Sequence, residues 1–394
     1  MKITKIHIEK FRGFKNENLS LGSLLTGIAG QNGTQKSTLL GIITQTFTLK
    51  ENDPMRAEKP LCGGSYISAF KDKFRLSPVF DKPKDHEWTI SFDSGIADFT
   101  VESIKRSGSP NVRFWKKGAR KEGDGYLSFP TIFLSLKRLV PTAEEVKVLT
   151  DDTLLTAEEL EEFKLLHNKI LITQTPISSA TAITSKNKRS LGVSTNLYDW
   201  NQNSMGQDNL GKIILALFSF KRLKDKYPGQ YKGGILAIDE LDATMYPASQ
   251  VELLKVLRKY AYKLKLQILF TTHSMSLLKA MDALIKETNK KNETANQLKI
   301  IYLKRIDENI EIKQDIDFDS IQLDLNVIAE GCQRPKSKVT VYTEDKENIL
   351  FAKSILKTKA RILNFVDITM SCSMLIEKRV RMANEQITFD KLPQ

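Results

Sequence analysis

The stretch Gly30-Gln31-Asn32-Gly33-Thr34-Gln35-Lys36-Ser37-Thr38 limits what this chain can be more than any other. An apolar run, Leu24 to Ala29, precedes it and reads as a buried strand, and Ser37 to Ile43 continues as a helix opening. Strand, glycine-rich turn and helix together are the setting of a phosphate-binding loop. Successive backbone N–H groups in such a turn form a concave anion site, and the helix start adds partial positive charge. On this reading Gly30, Asn32, Gly33, Thr34, Gln35 and Thr38 shape the loop, Lys36 reaches the β- and γ-phosphates, and the Ser37 hydroxyl ligates Mg²⁺. The general pattern has glycine where this chain has Gln35, a bulky residue that narrows the loop or slows hydrolysis. The alternative is a turn that binds nothing, and the rest of the chain weighs against it.

A chain of 394 residues is long enough for two or three domains with their own cores. Its net charge of +13 favours a polyanionic partner such as nucleic acid. No run approaches the length of a membrane span, the N-terminus lacks a signal-peptide core, and Cys62, Cys332 and Cys372 form no CxxC pair. The expectation is a cytoplasmic protein with no membrane contact.

In chain order, Met1 to Ser20 alternates apolar and polar residues as an edge strand that turns at Gly13. Glu87 to Phe92, Phe99 to Ile104 and Val112 to Trp115 read as antiparallel strands, and Phe129 to Leu134 as an apolar strand. Thr156-Ala157-Glu158-Glu159 opens an amphipathic helix to Leu171, with Leu160, Phe163, Leu165 and Leu166 at near-helical spacing. Ile177 to Asn203 is Ser/Thr-rich and reads as loop. Then come helix 210–223, strand 233–238 ending in Asp239-Glu240, helix 251–264 and strand 266–270 ending at Thr272-His273. Strands alternating with helices imply a mostly parallel sheet with ligands at the strands' C-terminal ends. There Asp239 would hold Mg²⁺ through water and Glu240 would activate the attacking water, while His273 would reach the γ-phosphate or be structural.

Phe11-Arg12-Gly13-Phe14 resembles the opening of the SMC/RecF/OLD-like branch of ABC-type ATPases. Arg12 is then either a phosphate or base contact or a surface arginine beside two core phenylalanines. Ser204-Met205-Gly206-Gln207 resembles that family's signature motif, although Met205 stands where a small residue is usual; Leu241-Asp242-Ala243 resembles its D-loop and His273 its switch histidine. No Q-loop glutamine is assigned, because Gln45 stands too close to Lys36. The resemblance covers roughly residues 1 to 305. It implies an ATP- and Mg²⁺-dependent ATPase in which Ser204 and Gly206 complete a second copy's nucleotide site, with Asp242 near the nucleotide, so that a homodimer or higher homo-oligomer is needed for turnover.

Lys338 to Asp345, a strand ending in acids and followed by helix 346–356, resembles the start of a TOPRIM fold, but no Asp-x-Asp appears after residues 362–368, so nuclease activity is not expected. The fold class expected is α/β: an ABC-type ATPase head, a mostly parallel sheet flanked by helices plus an antiparallel β subdomain, with a C-terminal TOPRIM-like remnant. The divisions expected are 1–50 with the loop, 51–130 antiparallel, 131–200 a helical insertion, 201–330 the rest of the head, and 335–394 the TOPRIM-like segment. This combination, with Gln35 in the loop, is similar to the ATPase subunits of Septu anti-phage systems (PtuA), including retron-associated forms. That resemblance implies an HNH endonuclease partner (PtuB-like) and, beside a retron, a reverse transcriptase with its DNA–RNA product. The alternatives are an ATP-gated DNA clamp of RecF/SMC kind and a truncated OLD-family ATPase-nuclease.

Overall fold

The computed structural model describes residues 1–66, 73, 75–93, 95–105, 112–118, 125–140, 148–185, 189–290, 296–329, 339–357, 360, 363–366, 371, 373, 374 and 376. Cys332, Lys338, Ile362, Ile368 and Cys372 lie outside them. The chain divides into two units, Met1–Gln322 and Leu323–Gln394.

The first unit opens with β1 (Ile3–Phe11) and β2 (Phe14–Ser20), then β3 (Leu25–Gly30), α1 (Lys36–Thr44) and a short β4 (Phe47–Thr48). Next come β5 (Glu87–Phe92), β6 (Phe99–Lys105), β7 (Val112–Lys116), β8 (Leu127–Ser128) and β9 (Thr131–Leu134). Further on are β10 (Leu149–Asp151), α2 (Ala157–Leu171), β11 (Ile177–Thr184), β12 (Arg189–Thr195) and α3 (Met205–Lys226). The last part holds β13 (Gly234–Ile238), α4 (Pro247–Lys263), β14 (Leu266–Thr271), α5 (Met275–Asn289), β15 (Leu298–Ile306) and β16 (Asn309–Gln314).

Two sheets carry the architecture. One has the order β16-β15-β3-β14-β13-β9, parallel throughout except for β16. Continuous apolar sequences such as Ile235-Leu236-Ala237-Ile238 suit it, because a sheet covered on both faces buries every side chain. The second sheet is antiparallel, β2-β1-β5-β6-β7. Strand β1 is therefore internal, paired to β2 and β5, and the edge expected for residues 1–20 is β2 alone. Phe11 pairs with Phe14 across a two-residue turn in which Arg12 takes the left-handed conformation at φ +53°.

One core joins these layers: Ile8, Phe11, Trp88 and Phe114 of the antiparallel sheet, Leu39, Leu40 and Ile43 of α1, and Ile28, Leu269 and Ile301 of the parallel sheet. Each such side chain contributes about 1.5–3 kcal/mol on burial. Helix α1 is thus clamped on both sides and the loop that precedes it is anchored. Helices α4 and α5 pack on β14 and β15.

Two expectations change. Residues 177–184 and 189–195 are not loop: β11 and β12 pair antiparallel, β10 pairs with β11, and α3 packs on β12. Ala180 to Ile183 and Ser190 to Val193 are buried without a break, Thr181 and Ser190 included, which a Ser/Thr-rich composition conceals. In α2 the Thr156–Glu159 capping box forms, but the buried stripe is Glu159, Phe163, His167 and Ile170, and Leu165 faces solvent.

The described part of the second unit contains parallel β17 (Val339–Val341) and β18 (Leu363–Phe365) with α7 (Lys346–Leu356) between them. The boundary between the units falls within α6 (Phe318–Ala329). A single βαβ turn occurs in many α/β folds and does not by itself make a TOPRIM domain. No helix among the described residues is long and apolar enough to cross a membrane.

Candidate nucleotide-binding site

Strands β3, β13 and β14 are parallel neighbours, so their C-terminal ends share one edge of the sheet. From β3 the chain enters the loop at Gly30, from β13 it reaches Asp239, and from β14 it reaches His273. Among the described residues the backbone amides of Asn32, Gly33, Gln35, Lys36, Ser37 and Thr38 donate to no acceptor. Part of the reason is the helix start, whose first N–H groups have no partner in their own turn. The Thr34 amide and hydroxyl both turn back to Gln31 O, at 3.4 and 2.8 Å, and close the loop.

Gly30 cannot be replaced without moving the sheet: a Cβ there would stand 2.5 Å from Leu303 O, at φ +148°. Gln35 holds φ +63° and ψ +30°, the left-handed conformation that a glycine adopts freely. The departure from the general pattern thus costs backbone strain of about 1–2 kcal/mol without redirecting the chain. Its side chain lies against the hairpin turn, where a Cβ on Gly13 would meet Gln35 Nε2 at 2.7 Å, and its Oε1 is buried without a partner.

Lys36 is buried, and its Nζ donates to Gly30 O at 3.0 Å and Gln31 O at 2.8 Å. Burial pushes its pKa down to about 8, against the opposing pull of Glu240, Asp239 and Asp242. Ser37 Oγ donates to Asp239 Oδ1 at 2.9 Å, although 202 positions separate the two residues. Thr271 Oγ1 also donates to Asp239 Oδ1, at 2.7 Å, and accepts the Glu240 amide at 2.7 Å. That contact holds Glu240 at φ +51°, turning the chain off the sheet immediately after β13. Asp242 Oδ1 accepts the His273 amide at 3.3 Å. The imidazole is partly exposed, and burial first and Lys36 second lower its pKa.

Ser204 and Gly206 sit at the N-terminus of α3. Ser204 Oγ accepts the Gln207 amide and Gln207 Oε1 accepts the Ser204 amide, a capping box at 3.3 and 2.9 Å. A Cβ on Gly206 would stand 2.6 Å from Thr244 O, so this glycine lets α3 abut the turn after Glu240. Among the described residues no hydrogen bond or ion pair joins Ser204 or Gly206 to Lys36 or Asp239 of the same chain. Arg12 is engaged elsewhere: its guanidinium grips Asp81 with Nε–Oδ1 at 3.0 Å and Nη2–Oδ2 at 2.9 Å, and donates to Arg75 O.

Sequence reading passed over Arg138 and Asn209. Arg138, 2 % exposed and without an ion pair among the described residues, lies just after β9. Its Nε donates to Asn209 Oδ1 and its Nη2 to Glu240 O, both at 2.7 Å, and its Nη1 to Leu134 O and Ser135 O. Asn209 Nδ2 donates in turn to Ala243 O at 2.9 Å. Burial pushes the guanidinium pKa down to about 10, opposed by Asp239, Glu240 and Asp242. The signal was present as an Arg in an apolar context at a strand end, but its partners are 71 and 102 positions away.

The donor set suits a nucleoside phosphate with a hard divalent ion. Free amides and Lys36 answer the phosphates, and Ser37 with Asp239 offers oxygen ligands. Among the described residues no three His, Cys, Asp or Glu side chains converge as a metal cluster, so phosphate and water would complete the coordination, as Mg²⁺ prefers.

No curated protein matches the sequence. Among solved structures, the chain is similar to the SMC head domain from Thermotoga maritima, with TM-score 0.43 and 13% identity over 80% of this chain and 100% of that one. It is also similar to the SmcHead bound to the C-winged helix domain of ScpA, with TM-score 0.47 and 14% identity over 82% and 99%. For the recombination mediator protein RecF the figures are 0.38 and 13%, over 79% and 97%. The family model of the AAA ATPase domain matches residues 1–122 and 135–277, more than half of the chain. On that match the chain belongs to the AAA ATPase domain family and is an ATPase.

Proposed function

We propose that this chain is a nucleotide-gated ATPase of the SMC/RecF-like ABC type that closes on a second copy when ATP is bound, and that the closed pair controls a partner HNH endonuclease in anti-phage defence. The observation that carries the nucleotide part is the loop of unpaired amides around Lys36, with Ser37 Oγ 2.9 Å from Asp239 Oδ1. Lys36 exchanges the carbonyls of Gly30 and Gln31 for the β- and γ-phosphates. Ser37 and Asp239 would hold Mg²⁺, whose charge would offset that of the phosphates. Glu240 takes the proton of the attacking water, and His273 reads the γ-phosphate from the far side. Ser204 and Gly206, which no hydrogen bond among the described residues ties to the loop of their own chain, reach the nucleotide of the second copy, with Asp242 beside it.

The defence role rests on the resemblance of the Gly30–Thr38 loop and the compact head to Septu ATPases, with a retron's reverse transcriptase and DNA–RNA product as further partners. A DNA clamp is the second reading. It is favoured by the net charge of +13 and by edge strand β7, where the Arg113 guanidinium stacks 4.0 Å from the Trp115 ring centre, an arrangement suited to phosphate and base contacts. Gentle affinity purification from the native cell separates the two. An HNH nuclease in the eluate supports the defence complex; the chain alone on duplex DNA overturns it in favour of the clamp.

A further inference from the structure

The phosphate loop has a second cation beside it that no motif marks. Strand β15 runs parallel to β3 with Leu303 opposite Gly30, so its last residues pass alongside the loop. Leu303 is packed directly against the loop entrance, its carbonyl 2.5 Å and its Cβ 3.1 Å from where a Cβ on Gly30 would stand. Two residues on, and on the same side of the strand, is Arg305. Its Nη1 lies 3.9 Å from where a Cβ on Gly33 would stand and, apart from Gly33 and its chain neighbours, is the only atom of the described residues within 4 Å of that point. Gly33 and Asn32 are exposed, so this outer rim of the loop is open and the guanidinium borders it.

Arg305 is itself exposed and makes no hydrogen bond or ion pair among the described residues. The contrast with the other cations near the site is informative. Lys36 is tied to two carbonyls, Arg138 to four acceptors and Arg12 to Asp81, whereas the donors of Arg305 are uncommitted. A guanidinium keeps its charge at any physiological pH, and its planar fork matches two phosphate oxygens.

We infer that Arg305 is a nucleotide-binding residue, closing the outer side of the loop on the phosphates of a nucleoside triphosphate while Lys36 holds them from within. This rests on the nucleotide reading of the loop. It assigns β15, outside the strand–loop–helix motif, a part in setting affinity.

The test is equilibrium binding of a fluorescent ATP analogue to the full chain, wild type against Arg305→Ala and Arg305→Lys, at several salt concentrations. Because Arg305 is exposed and unpartnered, the fold should survive, and an unchanged melting temperature checks this. Loss of a charge-assisted contact should weaken binding by about tenfold or more in Arg305→Ala, with partial recovery in Arg305→Lys. Affinity in Arg305→Ala should also depend less steeply on salt, which a purely structural role would not alter. Affinity within about twofold of wild type, with the same salt dependence, overturns the assignment of Arg305 and leaves the loop reading intact. Failure of the wild-type chain to bind overturns both.

Discussion

Arg138→Met separates what holds the site together from what makes it turn over. The guanidinium makes two short bonds, 2.7 Å each, to Asn209 Oδ1 and Glu240 O, and two longer ones to Leu134 O and Ser135 O. Charge-assisted bonds contribute ~1.5–3 kcal/mol each, so the short pair stabilises by ~3–6 kcal/mol. Burial works against this. It has moved the pKa from 12.5 down to about 10, a penalty of about 3 kcal/mol on the charged form. Because the folded-state pKa is lowered, that penalty is present at neutral pH and lifts only as pH rises through 10. Methionine fills much of the volume and removes both contributions, so the unfolding free energy should fall by only ~0–3 kcal/mol.

The effect on chemistry should be larger. Arg138 is a positioning residue: it holds the backbone that carries Glu240, and through Asn209 the turn at Ala243 and the start of α3. Urea unfolding, ATP binding and steady-state turnover together make the assay. ATP affinity should stay within about twofold, since the loop amides and Lys36 are untouched, while kcat falls by about tenfold or more. A variant that unfolds more easily but keeps its kcat would show that Arg138 only braces the core and would refute the reasoning.

Glu240→Gln removes the base but keeps the Thr271 and Arg138 contacts to its backbone, so an ATP-loaded dimer should accumulate on size exclusion with turnover abolished; unchanged turnover would sink the assignment. Lys36→Ala should abolish nucleotide binding. With Lys36 lowered to about 8, wild-type ATP affinity should decline as pH rises through that value, and a flat profile to pH 10 would contradict it. His167 is buried in α2, neither ring nitrogen makes a hydrogen bond of good geometry among the described residues, and burial, opposed only by the neighbouring Asn168 side chain, pushes its pKa down to about 4. The unfolded chain therefore binds the proton more readily, and about 3 kcal/mol of stability should be lost as pH falls from 6.5 to 4. A His167→Leu variant with the same acid sensitivity would refute that assignment.

Much of the local structure was legible because its causes are local. A glycine-rich turn between an apolar run and a helix start dictates strand, loop and helix whatever surrounds it, as residues 24–44 demonstrate. Thr156 with Glu159 announces a capped helix. Alternation and turn residues placed β5 to β7, and apolar runs placed β13 and β14 in a parallel sheet. Strands β11 and β12 read as loop because of their Ser/Thr composition, and only the packing around them, α3 on β12 included, buries 180–183 and 190–193.

Distance along the chain marks where such reading stops. The local pattern singles out Ser37 and Asp239 separately, but their 2.9 Å approach exists only because β3, β14 and β13 lie side by side. That Gln35 fits its loop depends on a left-handed dihedral angle, which a residue name does not reveal. Arg12, at the centre of a recognisable motif, is committed to Asp81, while Arg305, in no motif, borders the loop. Arg138 is tolerated in the core only because the packing brings four acceptors to it. The chain alone thus determined which groups can bind phosphate. The tertiary structure decided which of them meet, because hydrogen bonds act over about 3 Å and register between distant strands is set by the packing of the whole sheet.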